Sequence, residues 1–325
     1  MAIRSFFLFF SLSFILIFLS HQSPAQNCCS GGVPLSSSIG VAPEASNVFQ
    51  SLLIADINYL STFQRGTRKL EDSFRARKTT SLLWLNSYSF NERFSADMTI
   101  SWVQQFRRVE GFGGNVDTET SAGIGDLVFL AKYKVYSSPK SVSSLYAGTG
   151  IKLPTGATDQ RSNDGIILNL DMQPGSGSLD ALFWLYFSTG ISSLPSTSFF
   201  YSNLFQLTGR FDEFNRVQQY EVGNSLVSRI GATDNLLILN QLFDVVLEVI
   251  FRKNWKDKVD NQILPNTGGQ WLFIKPGLTW VSSPSLRFNM GVEIPLYADV
   301  VGEQLTSNGR LVFQLIYKSG SKISL

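Results

Sequence analysis

The stretch Gly123–Asp159 reads GIGDLVFLAKYKVYSSPKSVSSLYAGTGIKLPTGATD, and its reading decides the fold. Leu127, Phe129, Ala131, Tyr133 and Val135 fall on one side of this run; Asp126, Val128, Leu130, Lys132 and Lys134 fall on the other. Alternation at period two describes a strand whose two faces meet different surroundings. A short turn joins it to a second such run, Ser144–Leu153, which leaves through a Pro/Gly-rich segment. A soluble sandwich would bury the apolar face against a second sheet, whereas an outer-membrane barrel turns it to lipid.

The N-terminus favours the barrel. Arg4, an apolar run from Phe6 to Leu19 and the small residues Ser23 and Ala25 read as a secretory signal peptide, residues 1–25. The apolar run is shorter than the roughly 20 residues of a spanning helix. Cleavage after Ala25 removes His21, the single histidine, so no Ser-His-Asp triad, Cys-His pair or imidazole metal site is expected in the mature chain. A non-enzyme without cofactors is therefore expected. The formal charge of +2 argues against a nucleic-acid partner. With 26 Phe, 26 Gly, only 16% charged residues and no mature run of 18 apolar residues, the composition suits a barrel.

Outward from the opening hairpin the pattern repeats. Residues 26–46 lack periodicity and read as a periplasmic lead-in, and the barrel is expected over 47–325. Alternating runs follow at Val48–Leu60, Thr79–Phe90 and Phe94–Phe106, then beyond the hairpin at Ala181–Gly190, Phe199–Thr208, Gln219–Gly231, Leu236–Arg252, Gln270–Val281, Leu286–Leu296 and Arg310–Lys318. Short turns such as Asn91–Arg93 and Ala232–Asn235 alternate with long loops such as Arg65–Lys78, Arg107–Ala122 and Pro154–Asp180. Ile166–Gln173 is read as part of an outer loop, because single-chain barrels have even strand numbers. The expected fold is all-β: one antiparallel transmembrane β-barrel of about 12 strands (14 being the other even count), with short periplasmic turns and long extracellular loops. Trp84, Trp102, Trp271, Trp280 and Tyr317 stand near strand ends, where barrels carry aromatic girdles.

The polar face supplies the candidate lumen and selectivity residues: Asp97, Asp126, Lys132, Lys152, Glu221, Arg229, Asp244, Glu248, Lys275, Arg287 and Glu293. Charged rings set selectivity in pores, while opposite signs paired across a narrow barrel would fill it instead. Cys28 and Cys29 are adjacent, too close for an unstrained disulfide, and could offer a metal at most two thiolates. The cluster Arg65, Arg68, Lys69, Arg75, Arg77 and Lys78 reads as a basic loop able to meet lipopolysaccharide phosphates.

Gly125-Asp126, then YAGTGIKLPTG at Tyr146–Gly156, then MQPGSGSLD at Met172–Asp180 occur in order and at compact spacing. In these motifs the chain resembles the bacterial outer-membrane β-barrel transporter family described by the MetA pathway of phenol degradation. The likeness is strongest over Gly123–Gly190, and the chain departs from barrel convention by ending in Leu325 instead of an aromatic residue. The resemblance implies an outer-membrane barrel passing small, hydrophobic or aromatic compounds, and no binding residue is carried over from it. The expected function is a passive channel in contact with membrane lipid, lipopolysaccharide and the barrel-assembly machinery. The alternative is a non-conducting structural or docking barrel whose lumen is plugged, and a weaker one is a metal-handling barrel using Cys28 and Cys29.

Overall fold

The computed structural model describes residues 46–319 apart from 73, 111–114, 139–141 and 215–216. The expected signal peptide, Cys28, Cys29 and Leu325 lie outside the described residues. Seventeen strands follow one another among the described residues. The first seven are β1 (Val48–Gly66), β2 (Arg68–Leu70), β3 (Arg75–Ser89), β4 (Phe94–Glu110), β5 (Val116–Ile124), β6 (Leu127–Ser138) and β7 (Ser143–Leu153). After a 3-10 turn at Leu170–Met172 come β8 (Asp180–Ile191), β9 (Leu194–Leu207), β10 (Phe211–Phe214), β11 (Gln218–Glu221), β12 (Ser225–Ile238) and β13 (Gln241–Asn254). The last four are β14 (Lys258–Val259), β15 (Gln262–Ile263), β16 (Gly269–Ser283) and β17 (Leu286–Ser319).

Neighbouring strands pair in the order β17-β16-β13-β12-β9-β8-β7-β6-β4-β3-β1, and β17 also pairs with β1, closing an antiparallel barrel. Eleven strands make this ring, and β2 on β1 and β5 on β4 extend its sheet. A ring whose neighbours are all antiparallel needs an even number of legs. The 34-residue β17 resolves the parity: its Leu286–Val300 part pairs with β16 and its Val300–Ser319 part pairs with β1. Gly302, at φ +69°, sits where the two parts meet, a conformation that favours glycine. The stretch between the expected runs Leu286–Leu296 and Arg310–Lys318, which the sequence suggests as a loop, is a tight reversal instead.

Closure leaves no open edge in the ring and satisfies the wall's backbone, the condition for life in hydrocarbon. The two faces then divide by chemistry. In β4, Ser95, Asp97, Thr99, Ser101, Val103 and Gln105 are buried inside while Phe94, Trp102 and Phe106 are exposed outside. In β6, Val128, Leu130 and Lys132 point in and Phe129, Tyr133 and Val135 point out, as the opening alternation requires. The interior is not uniformly polar. Leu52, Ile54, Leu83, Leu85 and Val312 form one inner apolar patch, and Val227, Ile250, Trp271, Phe273, Ala298 and Val300 form another.

Several expectations need correction. Trp271 is no girdle residue: it is fully buried, in phase with inward Phe273 and Lys275, while Trp84, Trp102, Trp280 and Tyr317 do face outward. The charged loop Arg65–Lys78 is largely strand, with Arg65 in β1, Arg68 and Lys69 in β2, and Arg75, Arg77 and Lys78 in β3. Pairing of β4 with β5 likewise converts much of the Arg107–Ala122 loop into an extended hairpin. The run Gln219–Gly231 is two elements. Gly223 packs so closely that an added Cβ would lie 2.0 Å from the Trp255 carbonyl oxygen, and the chain breaks there. Its first half, β11, joins β10, β14 and β15 in a separate four-stranded sheet.

Candidate functional site

The three motif stretches converge on Asp126. That residue occupies the break between β5 and β6, where Gly125 donates to the Ser101 carbonyl at 2.8 Å. Its Oδ1 accepts the Gly156 N–H at 3.0 Å, and its Oδ2 accepts both the Ser176 N–H (3.0 Å) and the Ser176 hydroxyl (2.6 Å). Glycine is favoured here by close packing. A Cβ on Gly175 would lie 2.5 Å from the Gly156 carbonyl carbon, and one on Gly125 would lie 2.4 Å from the Ser101 hydroxyl. The strand break, the Leu-Pro-Thr-Gly exit and the Pro-Gly-Ser-Gly turn therefore form one knot.

Lys152 is the counter-charge of the knot. Its Nζ lies 3.2 Å from Asp126 and 2.6 Å from Asp180, and it also contacts the Ser176 hydroxyl. Asp180 further accepts from Ser178 (2.8 Å), Gly209 (2.9 Å) and Gln206 (2.6 Å). All three ionic groups are buried. Burial of charge is tolerated only when each group is paired and hydrogen-bonded, as here. The segment between β7 and β8 thus folds inward instead of standing clear of the wall. Its buried Gln173 clamps it to itself through Gln160 and Leu168, and Ser121 donates to the Met172 carbonyl at 2.5 Å. Arg77 reaches Asp171 at 2.8 Å and also touches Gln105. Arg77, expected in a solvated loop, is instead an interior tether.

A second ionic cluster lines the opposite wall. Glu248 pairs with Lys275 at 2.8 Å, Glu293 takes Arg252 through both oxygens at 2.9 and 2.8 Å, and Arg310 stands 3.8 Å from Glu293. Between the clusters, Asp97 pairs with Lys132 at 2.6 Å, and Lys132 also stands over the Trp184 ring at 5.8 Å. Near the short-turn end Asp244 accepts from Asn235 at 2.6 Å and lies 3.8 Å from Arg287. Arg229 alone of the candidate cations has no ion pair or hydrogen bond among the described residues, although it lies in the field of Glu248, Glu293 and Arg310.

Ten of the eleven sequence candidates stand on the barrel strands or, for Asp126, at a strand break in the wall. Glu221 does not. It belongs to the four-stranded sheet at the long-connection end, where it pairs with Lys258 at 2.7 Å. The same small sheet shields Asp257, which accepts from Tyr220 and Gly223 at 2.8 Å each. Burial raises the Asp257 carboxyl to about 6, against the lowering effect of those two donors and with a further push from Asp171. Arg77, Asp171, Asp180, Arg252 and Arg310 were missing from the candidates. Arg252 was signalled by its phase, two pleats beyond Glu248; Asp171 sits in an irregular segment that carries no phase, and Asp180 opens β8 directly after that segment. Among the described residues no group of three or more His, Cys, Asp or Glu converges as a metal site.

No family model and no curated protein matches the chain. Solved structures do. An outer-membrane channel from Pseudomonas putida F1 aligns with a TM-score of 0.63 at 12% identity, over 87% of this chain and all of that one. Looser likenesses include a Pseudomonas aeruginosa FadL homologue (TM-score 0.43, 10% identity, 91% and 98% coverage). The Pseudomonas putida toluene transporter TodX also aligns (0.40, 8%, 93% and 99%). At such identities the likeness is one of fold, and the fold is that of an outer-membrane β-barrel.

Proposed function

We propose that the chain is a passive channel of the bacterial outer membrane for small hydrophobic or aromatic compounds, with twelve membrane-crossing legs once β17 is counted as two. The observation that carries this reading is the division of the closed wall: half-exposed Phe, Trp and Leu side chains outside, paired charges inside. An outward band of this kind suits lipid, and an inner polar face suits a lumen. The fold likeness to a Pseudomonas putida outer-membrane channel supports the same reading. In this reading the short turns face the periplasm and the longer connections, with their four-stranded sheet, face the outside. Arg65, Arg68, Lys69 and Arg75 then stand where they can meet lipopolysaccharide phosphates, and the barrel-assembly machinery inserts the chain after signal cleavage. Asp97, Asp126, Lys132, Lys152, Arg229, Asp244, Glu248, Lys275, Arg287 and Glu293 set the charge of the passage. It is not an enzyme in this reading.

A plugged, non-conducting barrel draws support from one feature, the inward-folded segment tied down by Lys152 and Arg77. Planar-bilayer recording of the purified full-length protein separates the two. Discrete single-channel steps are expected; silence across repeated reconstitutions defeats the channel reading.

A further inference from the structure

One lumenal row combines aromatic rings with an uncommitted cation. Cross-strand register places Tyr146 beside Tyr186, Tyr186 beside Ser202, and Ser202 beside Arg229. The rings are ordered. Trp184 and Tyr186 stack at 5.8 Å with planes 8° apart, Tyr186 and Phe200 stack at 6.2 Å and 17°, and Tyr146 lies 6.1 Å from Tyr186. Phe200 fills the space that glycine leaves at Gly231, where an added Cβ would lie 2.4 Å from the ring. Ser202, small and hydroxylated, thus forms the floor of a notch with an aromatic wall on one flank and Arg229 on the other. With strands spaced by ~4.8 Å, Tyr186 and Arg229 are two strands and about 10 Å apart at their backbones.

Charge accounting defines what the notch would take. The two carboxylates whose charge acts on Arg229 are committed elsewhere, Glu248 to Lys275 and Glu293 to Arg252. Arg229 has no such partner among the described residues, so an anion entering here meets a guanidinium free to bind it. A planar guanidinium matches a carboxylate through two parallel N–H donors, and a partly dehydrated site strengthens the match. The rings beside it offer stacking to a flat apolar body.

We infer that this notch is a binding site for aromatic carboxylates, with Arg229 holding the carboxylate, Ser202 beneath it and the Tyr186–Phe200 wall holding the ring. The inference rests on the channel reading and names its solute class.

The test is single-channel recording of the full-length protein with benzoate and, as a neutral isostere of similar size, benzyl alcohol. Benzoate is expected to block the wild-type current reversibly at concentrations where benzyl alcohol does not. In Arg229→Gln, with block measured relative to that variant's own open-channel current, benzoate block should weaken roughly ten- to a hundredfold, the range expected for loss of a charge-assisted hydrogen bond. Tyr186→Leu, which leaves the charge, should also weaken it, and serves where the arginine variant fails to assemble. Steps that benzoate leaves untouched, or blocks equally in wild type and Arg229→Gln, overturn the site and leave the channel standing. Absence of steps in the wild type overturns the channel reading and the site with it.

Discussion

Replacing Lys152 with Met removes the cation between two buried carboxylates while keeping much of the side-chain volume. Lys152 lies 2.6 Å from Asp180 and 3.2 Å from Asp126, and all three groups are shielded from water. Breaking a buried pair by deleting one partner costs about 3–5 kcal/mol, because the survivor keeps its desolvation penalty. Here the survivors retain neutral donors from Gly156, Ser176, Gly209 and Gln206, so the lower end applies, about 3 kcal/mol. At 1.36 kcal/mol per tenfold, the balance between the inward-folded and released states of the segment shifts roughly 100-fold. The barrel pairing around it is untouched, so the cost falls on the segment. Arg161, which lies within it, provides the assay. Trypsin cleavage there in the detergent-solubilised protein tracks the released population when opening is fast, and should accelerate by about that factor. The triple variant Lys152→Met, Asp126→Asn, Asp180→Asn leaves no unpaired charge and should recover most of the protection. Equal cleavage of wild type and Lys152→Met would refute the claim that this cation holds the segment. A triple variant as labile as the single one would assign the effect to packing.

Gly175→Ala pushes a methyl into the Gly156 backbone and should cost about 1–3 kcal/mol, read as faster cleavage at Arg161 with the strand signal in circular dichroism unchanged. Glu293→Gln leaves Arg252 and Arg310 without their shared carboxylate and should lower resistance to urea by about 3–5 kcal/mol, measured as a reduced unfolding midpoint. Phe313→Arg places a charge on the outward face of β17 and should cost about 2–4 kcal/mol in lipid, measured by equilibrium folding into vesicles; an unchanged value would contradict the assigned outer face. The Asp257 carboxyl stands at about 6 in the folded chain against 3.8 unfolded, so the folded four-stranded sheet holds the proton more tightly. That sheet gains stability as pH falls through 6 towards 4 and loses about 3 kcal/mol as pH rises through the same window. Amide exchange at Gln218–Glu221 should be slower at pH 5 than at pH 7.5 after correction for intrinsic rates, and Asp257→Asn should abolish the difference.

The legible part of the fold was the part where lipid and lumen impose different chemistry on alternate residues. Phe94 to Phe106 reads correctly from sequence because the outward positions other than Ala96 and Gln104 are large and apolar while most inward ones are small or polar. The first strand is harder: Leu52 and Ile54 face inward against Leu83, Leu85 and Val312, so much of both faces is apolar and the phase rests on Gln50, Asp56, Asn58 and Gln64. Trp271 was misplaced by its position near a strand end, although its spacing from Lys275 already put it inside. The split at Gly223 left no period to detect, since Gln219–Glu221 and Ser225–Gly231 alternate in nearly the same phase across the break. Within the site, Asp126, Lys152 and the Pro-Gly-Ser-Gly turn were visible as motifs. Their convergence, and the part played by Arg77 and Asp171, depend on an irregular segment turning inward, which is decided by tertiary contacts alone.

The seam between β1 and β17 also bears on how the molecule is made. Phe49 pairs with Ser319 and Gly66 with Val300, residues from opposite ends of the described chain, while most other pairings join near neighbours in sequence. Closing a loop on the order of 250 residues costs about 5 kcal/mol in chain entropy. That cost is recovered only once the long register forms, which makes the seam a late event dominated by non-local contacts. Until then both β1 and β17 offer unpaired backbone to any passing strand. Assembly of this barrel is therefore a race between its own last strand and a foreign one, and a factor that shelters one edge while the other arrives would decide the yield.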